Sequence, residues 1–192
     1  KKQIYNDEIR KRTSIKDSNY DEILVSNLKN KITESGKNKV LIVLHTNTSH
    51  GPSYYKMFPP EFEVFKPVCK RIVFNCDREE AVNAYDNTIV YTDYLLNKVI
   101  SELKELTDWN STMIFVSDHG ESLGEDGLLM HSTPMKFAPK EQYEIPFIVW
   151  SSNPDIKYKE FDKVTQHHVF HSVLKFLGVK SAVYKEELNI YH

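Results

Sequence analysis

The chain has 192 residues, 40% of them hydrophobic and 27% charged, enough for one domain with a sizeable core and too ordinary for disorder. Its 25 basic and 27 acidic residues give a formal charge of -2 and are spread along the sequence, which excludes an advertised patch for nucleic acid or an anionic membrane. The longest apolar runs, residues 40–44 and 145–150, fall far short of the roughly 18 residues that begin to suggest a membrane span.

The chain opens on KKQIYNDE, with no initiator Met and no apolar secretion segment, as expected of a processed or truncated piece of a longer protein. Leu24, Leu28 and Ile32 recur at helical spacing and predict a helix that ends before Gly36. Residues 40–44, VLIVL, read as a short buried strand. Residues 45–62 carry three prolines and no steady period, so they form an irregular excursion over a surface. Cys69 and Cys76 are the only cysteines, and their spacing suits an oxidised loop staple and two reduced thiols equally well. Neither has the second Cys or His pair that a zinc ribbon requires. Val82, Tyr85, Ile89, Leu96, Val99 and Leu103 mark a long amphipathic helix. Residues 112–116 predict a second buried strand and residues 143–150 a third. Val169, Val173, Leu174 and Leu177 mark a last helix closed by Gly178, and the tail beyond it has little pattern.

Strands alternating with helices argue for an α/β sandwich with a mostly parallel central sheet, where functional groups collect outside the carboxyl ends of the strands. His45 and His50 follow the first predicted strand, and Asp118, His119 and Glu121 follow the second. An Asp that ends a strand can be a simple turn cap, and Gly120, Gly124 and Gly127 can simply shape a loop. However, His45, His50, His119 and His131 are half of the eight histidines, all in these two loops. With Asp118 they supply the nitrogen and oxygen ligands that a zinc site uses. His167, His168 and His171 lie on the last helix, where packing or solvent exposure accounts for them. Tyr54, Tyr55, Met57 and Phe58 read as core rather than pocket, and Asp86 and Asp93 stay outside the site.

Four motifs in order, VLHTNTSHGPSYYKMFPPEF, NAYDNTIVYTDYLL, VSDHGESLGEDGLLMH and FAPKEQYEIPFIVW, resemble the periplasmic domain of the phosphoethanolamine transferases that modify lipid A, the family of the mobile colistin-resistance enzymes. The resemblance covers residues 20–192. The Asp-His-Gly step alone would point only to the wider alkaline phosphatase and sulfatase superfamily.

The resemblance implies a three-layer α/β sandwich of the alkaline phosphatase and sulfatase type, with residues 1–192 as the C-terminal part of one catalytic domain. It further implies a periplasmic location on an inner-membrane protein, a disulfide between Cys69 and Cys76, and Zn2+ bound by Asp118 and His119. His50, His131 and His45 then lie near the phosphoryl group or serve proton transfer, and His50 and His131 are candidates for a second metal. In such enzymes a threonine held on zinc takes phosphoethanolamine from phosphatidylethanolamine, releases diacylglycerol and passes the group to lipid A or another cell-surface acceptor. That threonine and a glutamate ligand have no counterpart between Lys1 and Tyr20, and Thr46 and Thr48 sit inside the histidine motif instead. The N-terminal membrane domain and the upstream catalytic segment are thus expected outside this chain. Alternative readings are another superfamily member, a sulfatase or phosphoglycerol transferase, and a non-catalytic metal-binding remnant.

Overall fold

A computed structural model describes residues 20–192; the reading of KKQIYNDE as the start of a truncated piece lies outside them. Two short helices, α1 (Glu22–Val25) and α2 (Leu28–Thr33), replace the single predicted helix. Asn27 adopts a left-handed backbone (φ 57°), which asparagine tolerates better than most residues, and the chain turns there. The break lets Ile23, Leu24 and Val25 be buried together with Leu28 and Ile32.

Residues 40–44 belong to no strand ladder among the described residues. Val40, Ile42 and Leu44 pack against the core, whereas Leu41 and Val43 are 58% and 80% exposed. The apolar run predicted a segment buried on two faces; the described residues cover one.

The long helix α3 (Arg78–Lys104) starts at an Asp77/Glu80 capping box, which satisfies orphan N–H groups of its first turn. Its buried face runs through Ala81, Ala84, Thr88, Tyr91, Leu95, Val99 and Leu103, and Ile89 points outward. Fully buried Asn87 lies beside that face because it straps a loop. Its Oδ1 accepts the Val64 and Phe65 N–H groups, each at 2.8 Å, and its Nδ2 donates to the Phe65 carbonyl at 3.0 Å.

Four short strands follow: β1 (Thr112–Val116), β2 (Ser122–Leu123), β3 (Leu129–Met130) and β4 (Phe147–Ser151). β1 pairs with β4 and β2 with β3, both antiparallel, so the class is mixed α/β but neither described ladder has the expected parallel pairing. The expected parallel neighbour of β1, residues 40–44, forms no ladder. β1 contributes Met113 to the core made by Val25, Leu28, Ile32, Val99, Leu103 and Leu106. Helix α4 (His167–Phe176) ends where Gly178 takes a positive φ of 61°. The tail that seemed patternless is packed: Asn189, Ile190 and Tyr191 are buried, and Ser172 Oγ accepts the Ile190 N–H at 3.1 Å. No helix among the described residues is long and apolar enough to cross a membrane.

Candidate metal centre

The corner after β1 is held by its backbone. Gln166, just before α4, donates from Nε2 to the carbonyls of Ser117 and Asp118 at 2.8 and 2.7 Å. Ser117 Oγ donates to the His119 carbonyl at 2.5 Å, and the Gly120 N–H donates to the Gln142 carbonyl at 3.0 Å. A Cβ on Gly120 would lie 1.9 Å from the Glu141 carbonyl oxygen, so only glycine permits this approach. The Asp118 side chain is left 82% exposed, with Oδ1 3.8 Å from His119 Nε2.

Three histidines share one orientation. Nδ1 of His119 lies 3.0 Å from the Gly120 carbonyl, Nδ1 of His50 lies 2.7 Å from the Gly51 carbonyl, and Nδ1 of His131 lies 3.0 Å from Glu121 Oε1. Carbonyls and carboxylates only accept, so each Nδ1 carries the proton and each Nε2 keeps its lone pair for a metal or a phosphoryl group. The His119 and His131 rings lie 3.9 Å apart at 30°, and His50 meets His131 edge-on at 5.7 Å.

Each loop is anchored from behind. Asp21 Oδ2 accepts the Asn47 N–H, the Thr48 N–H and the Thr48 hydroxyl at 2.6, 2.7 and 2.6 Å, two residues before His50. Met130 and Ser132, either side of His131, both have positive φ, 68° and 79°, a costly backbone that the surroundings must hold. Gln142 contributes by donating to Ser122 Oγ at 2.8 Å and Thr133 Oγ1 at 3.1 Å, while its Oε1 accepts the Thr133 N–H at 3.2 Å. A cleft of about 300 Å³ opens here, lined by His119, His131, Thr133, Met135, Gln142 and Tyr143 among others. A larger depression of about 770 Å³ beside Trp109 and Trp150 shares no lining residue with it.

The structure thus brings together Asp118, His119, His131 and His50. His45 is exposed and makes no hydrogen bond, ion pair or ring contact among the described residues. Cys69 and Cys76 form a disulfide, with Cα atoms 5.8 Å apart. His168 and His171 are buried in packing roles: His171 Nδ1 accepts the Lys185 N–H at 3.0 Å, the reverse of the three site histidines, and His168 Nδ1 lies 3.1 Å from both the N–H and the carbonyl of Thr165. Tyr54 and Phe58 are core. Asp86, outside the cluster, has its carboxyl pushed up by burial.

The sequence reading gave Glu121 no role, yet it is buried and touches His131. Its place between two histidines in one motif was the available signal. Ligand atoms of His119, Glu121 and His131 all lie within 4.8 Å of one another. Imidazole nitrogens with free lone pairs beside an exposed carboxylate are donors that zinc accepts, so the residues fit the metal.

Residues 1–179 match the model of the sulfatase family. Phosphoethanolamine transferase EptA of Helicobacter pylori is 45% identical over 182 residues, which cover 89% of this chain and 34% of that protein. The crystal structure of the C-terminal periplasmic domain of phosphoethanolamine transferase EptC from Campylobacter jejuni superposes with a TM-score of 0.78 at 38% identity, covering 90% of this chain and 58% of the other. The integral membrane protein lipooligosaccharide phosphoethanolamine transferase A from Neisseria meningitidis superposes with a TM-score of 0.79 at 33% identity, over 90% of this chain and 34% of its own. The chain therefore spans about a third of the full-length relatives, and by its family match and its fold it belongs to the sulfatase family, among sequences similar to phosphoethanolamine transferases.

Proposed function

We propose that residues 1–192 are the C-terminal part of a single periplasmic catalytic domain of an inner-membrane protein. That protein transfers phosphoethanolamine from phosphatidylethanolamine to lipid A or another cell-surface acceptor, through a phosphoethanolamine-threonine intermediate on a threonine upstream of Lys1. The observation that carries the reading is the grouping of His50, His131 and His119, each with Nδ1 held by an acceptor, beside the Asp118 carboxylate. Similarity to transferases of this name supports the transferred group, and the Neisseria protein's name supports a glycolipid acceptor.

In this reading Asp118 and His119 hold zinc through a carboxylate oxygen and Nε2. Bound zinc would lower the pKa of the nucleophile and neutralise charge on the phosphoryl oxygens. His50 and His131 turn Nε2 toward the phosphoryl group, where they accept and return protons or hold a second metal; His45 stands outside their cluster. The P–O bond of the donor breaks as the threonine oxygen bonds to phosphorus, and diacylglycerol leaves. An acceptor phosphate oxygen then attacks the same phosphorus and frees the threonine. Thr48 is no candidate nucleophile, since its hydroxyl is committed to Asp21.

The test is a labelled phosphatidylethanolamine assay on the full-length protein and its Asp118→Ala variant. The variant should lose transfer and zinc while its stability stays within about 0.5 kcal/mol, because the side chain is 82% exposed and its contacts are with the neighbouring His119 alone. Transfer near the wild-type rate would sink the assignment. Turnover of sulfate esters or phosphatidylglycerol instead would move the protein to another branch of the family.

A further inference from the structure

Glu121 is buried, yet it stands in a loop whose other acidic residues reach solvent or Arg78. One of its oxygens, Oε1, accepts from His131 Nδ1 at 3.0 Å. The other, Oε2, is buried and has no hydrogen-bond partner among the described residues. The only comparable side-chain atom among them is the hydroxyl of Tyr54, also buried and unpartnered. The two groups are neighbours: burial raises the Tyr54 hydroxyl above its usual range, and the Glu121 charge adds to the shift. A neutral hydroxyl that needs an acceptor thus stands beside a carboxylate oxygen that needs a donor.

We propose that Glu121 is a positioning residue, whose buried carboxylate, backed by the Tyr54 hydroxyl, locks His131 in the tautomer and ring orientation that present Nε2 to the reacting group. The lock answers a specific need. His131 sits between two residues with left-handed backbones, and the one hydrogen bond its ring makes among the described residues is to Glu121. The neighbouring histidines have backbone carbonyls one residue on to accept their Nδ1 protons; His131 relies on a side chain ten residues away. Tyr54 comes from the segment that carries His50, so the proposed pairing of its hydroxyl with Glu121 would also link the two histidine loops. Gly51 reinforces this, since a Cβ there would lie 2.5 Å from Met130 Sδ and 3.0 Å from the Tyr54 hydroxyl.

This inference rests on the transferase reading for its rate readout and on histidine nitrogen chemical shifts for an independent one. In full-length protein labelled with ¹⁵N-histidine, His131 should appear as the Nδ1–H tautomer. Glu121→Ala should move it to Nε2–H and cut phosphoethanolamine transfer by roughly 10- to 100-fold. Glu121→Gln, whose amide oxygen still accepts from Nδ1, should keep the tautomer and lose less activity. Tyr54→Phe should weaken the preference without abolishing it, and it keeps the question open to measurement if Glu121→Ala fails to fold. Retention of Nδ1–H in Glu121→Ala would overturn the proposal. Equal loss of zinc in Glu121→Ala and Glu121→Gln would overturn it too, by making the carboxylate a metal ligand. Absence of transfer in the wild type would sink the transferase reading while leaving the tautomer to judge Glu121.

Discussion

Asp21→Ala removes the anchor of the His50 loop. The wild-type carboxylate oxygen accepts two backbone N–H groups and one hydroxyl at 2.6 to 2.7 Å, and the residue is 7% exposed. A hydrogen bond to a charged group contributes about 1.5–3 kcal/mol, but the three share one oxygen and the loop can open to water once it is gone. The net loss should therefore be about 3 kcal/mol rather than the sum of three bonds. For a domain of this size that corresponds to a drop in Tm of roughly 6–12 °C. Urea unfolding of wild type and variant, with equal slopes, gives the difference directly. Because Thr48 lies two residues from His50, transfer by the full-length variant should fall as well, at temperatures where the domain is still folded. A loss below about 1 kcal/mol would refute the reasoning, since it would mean that the loop finds its donors other acceptors at no cost.

The Cys69–Cys76 bond closes a loop of sequence separation 7, for which chain entropy gives about 2.5 kcal/mol. Reduction, or replacement of both by serine, should lower the urea midpoint accordingly, and two free thiols in protein prepared from the periplasm without reductant would remove the claim. Glu186 is held down to about 2 by hydrogen bonds from Lys159 and the Tyr184 hydroxyl. A depressed carboxyl stabilises above its ordinary 4.5 and loses that effect as pH falls from about 4.5 to 2, so Glu186→Gln should flatten the acid limb of the Tm profile in that window. A Glu186 carboxyl that titrates near its ordinary value by NMR would contradict this.

What the sequence revealed was mostly local. α3, β1, β4 and α4 follow from apolar period and length, and the Asp118–His119 corner follows from polar residues placed at the end of an apolar strand. What stayed hidden depends on partners far away in the chain. Asp21 reads as an ordinary acidic residue, since the N–H groups that it accepts are 26 and 27 residues on. Asn87 and Thr88 break the apolar stripe of α3, yet they are buried because one straps a loop and the other meets Ser49 Oγ at 2.6 Å. The tail after Gly178 gave no pattern because its burial is achieved one residue at a time, through contacts with α4 and a bridge between Tyr158 and Tyr191. The antiparallel direction of the two described ladders was hidden for a related reason: alternation of strand and helix favours parallel pairing, but β1 and β4 are joined by the site loops and the turn at 140–142, without a crossover helix.

Gly120 carries a consequence for any alanine scan of this protein. It has no side chain to offer the site, only its backbone carbonyl and N–H, but the methyl added by alanine would collide with the Glu141 carbonyl and drive the Asp118–His119 turn away from residues 140–142. A scan would rank it beside Asp118 and His119. The inactive variant would be reporting the thickness of two abutting backbones, and a compensating deletion or reshaping of the 140–142 turn, rather than any restored side chain, is the change that could return activity at that position.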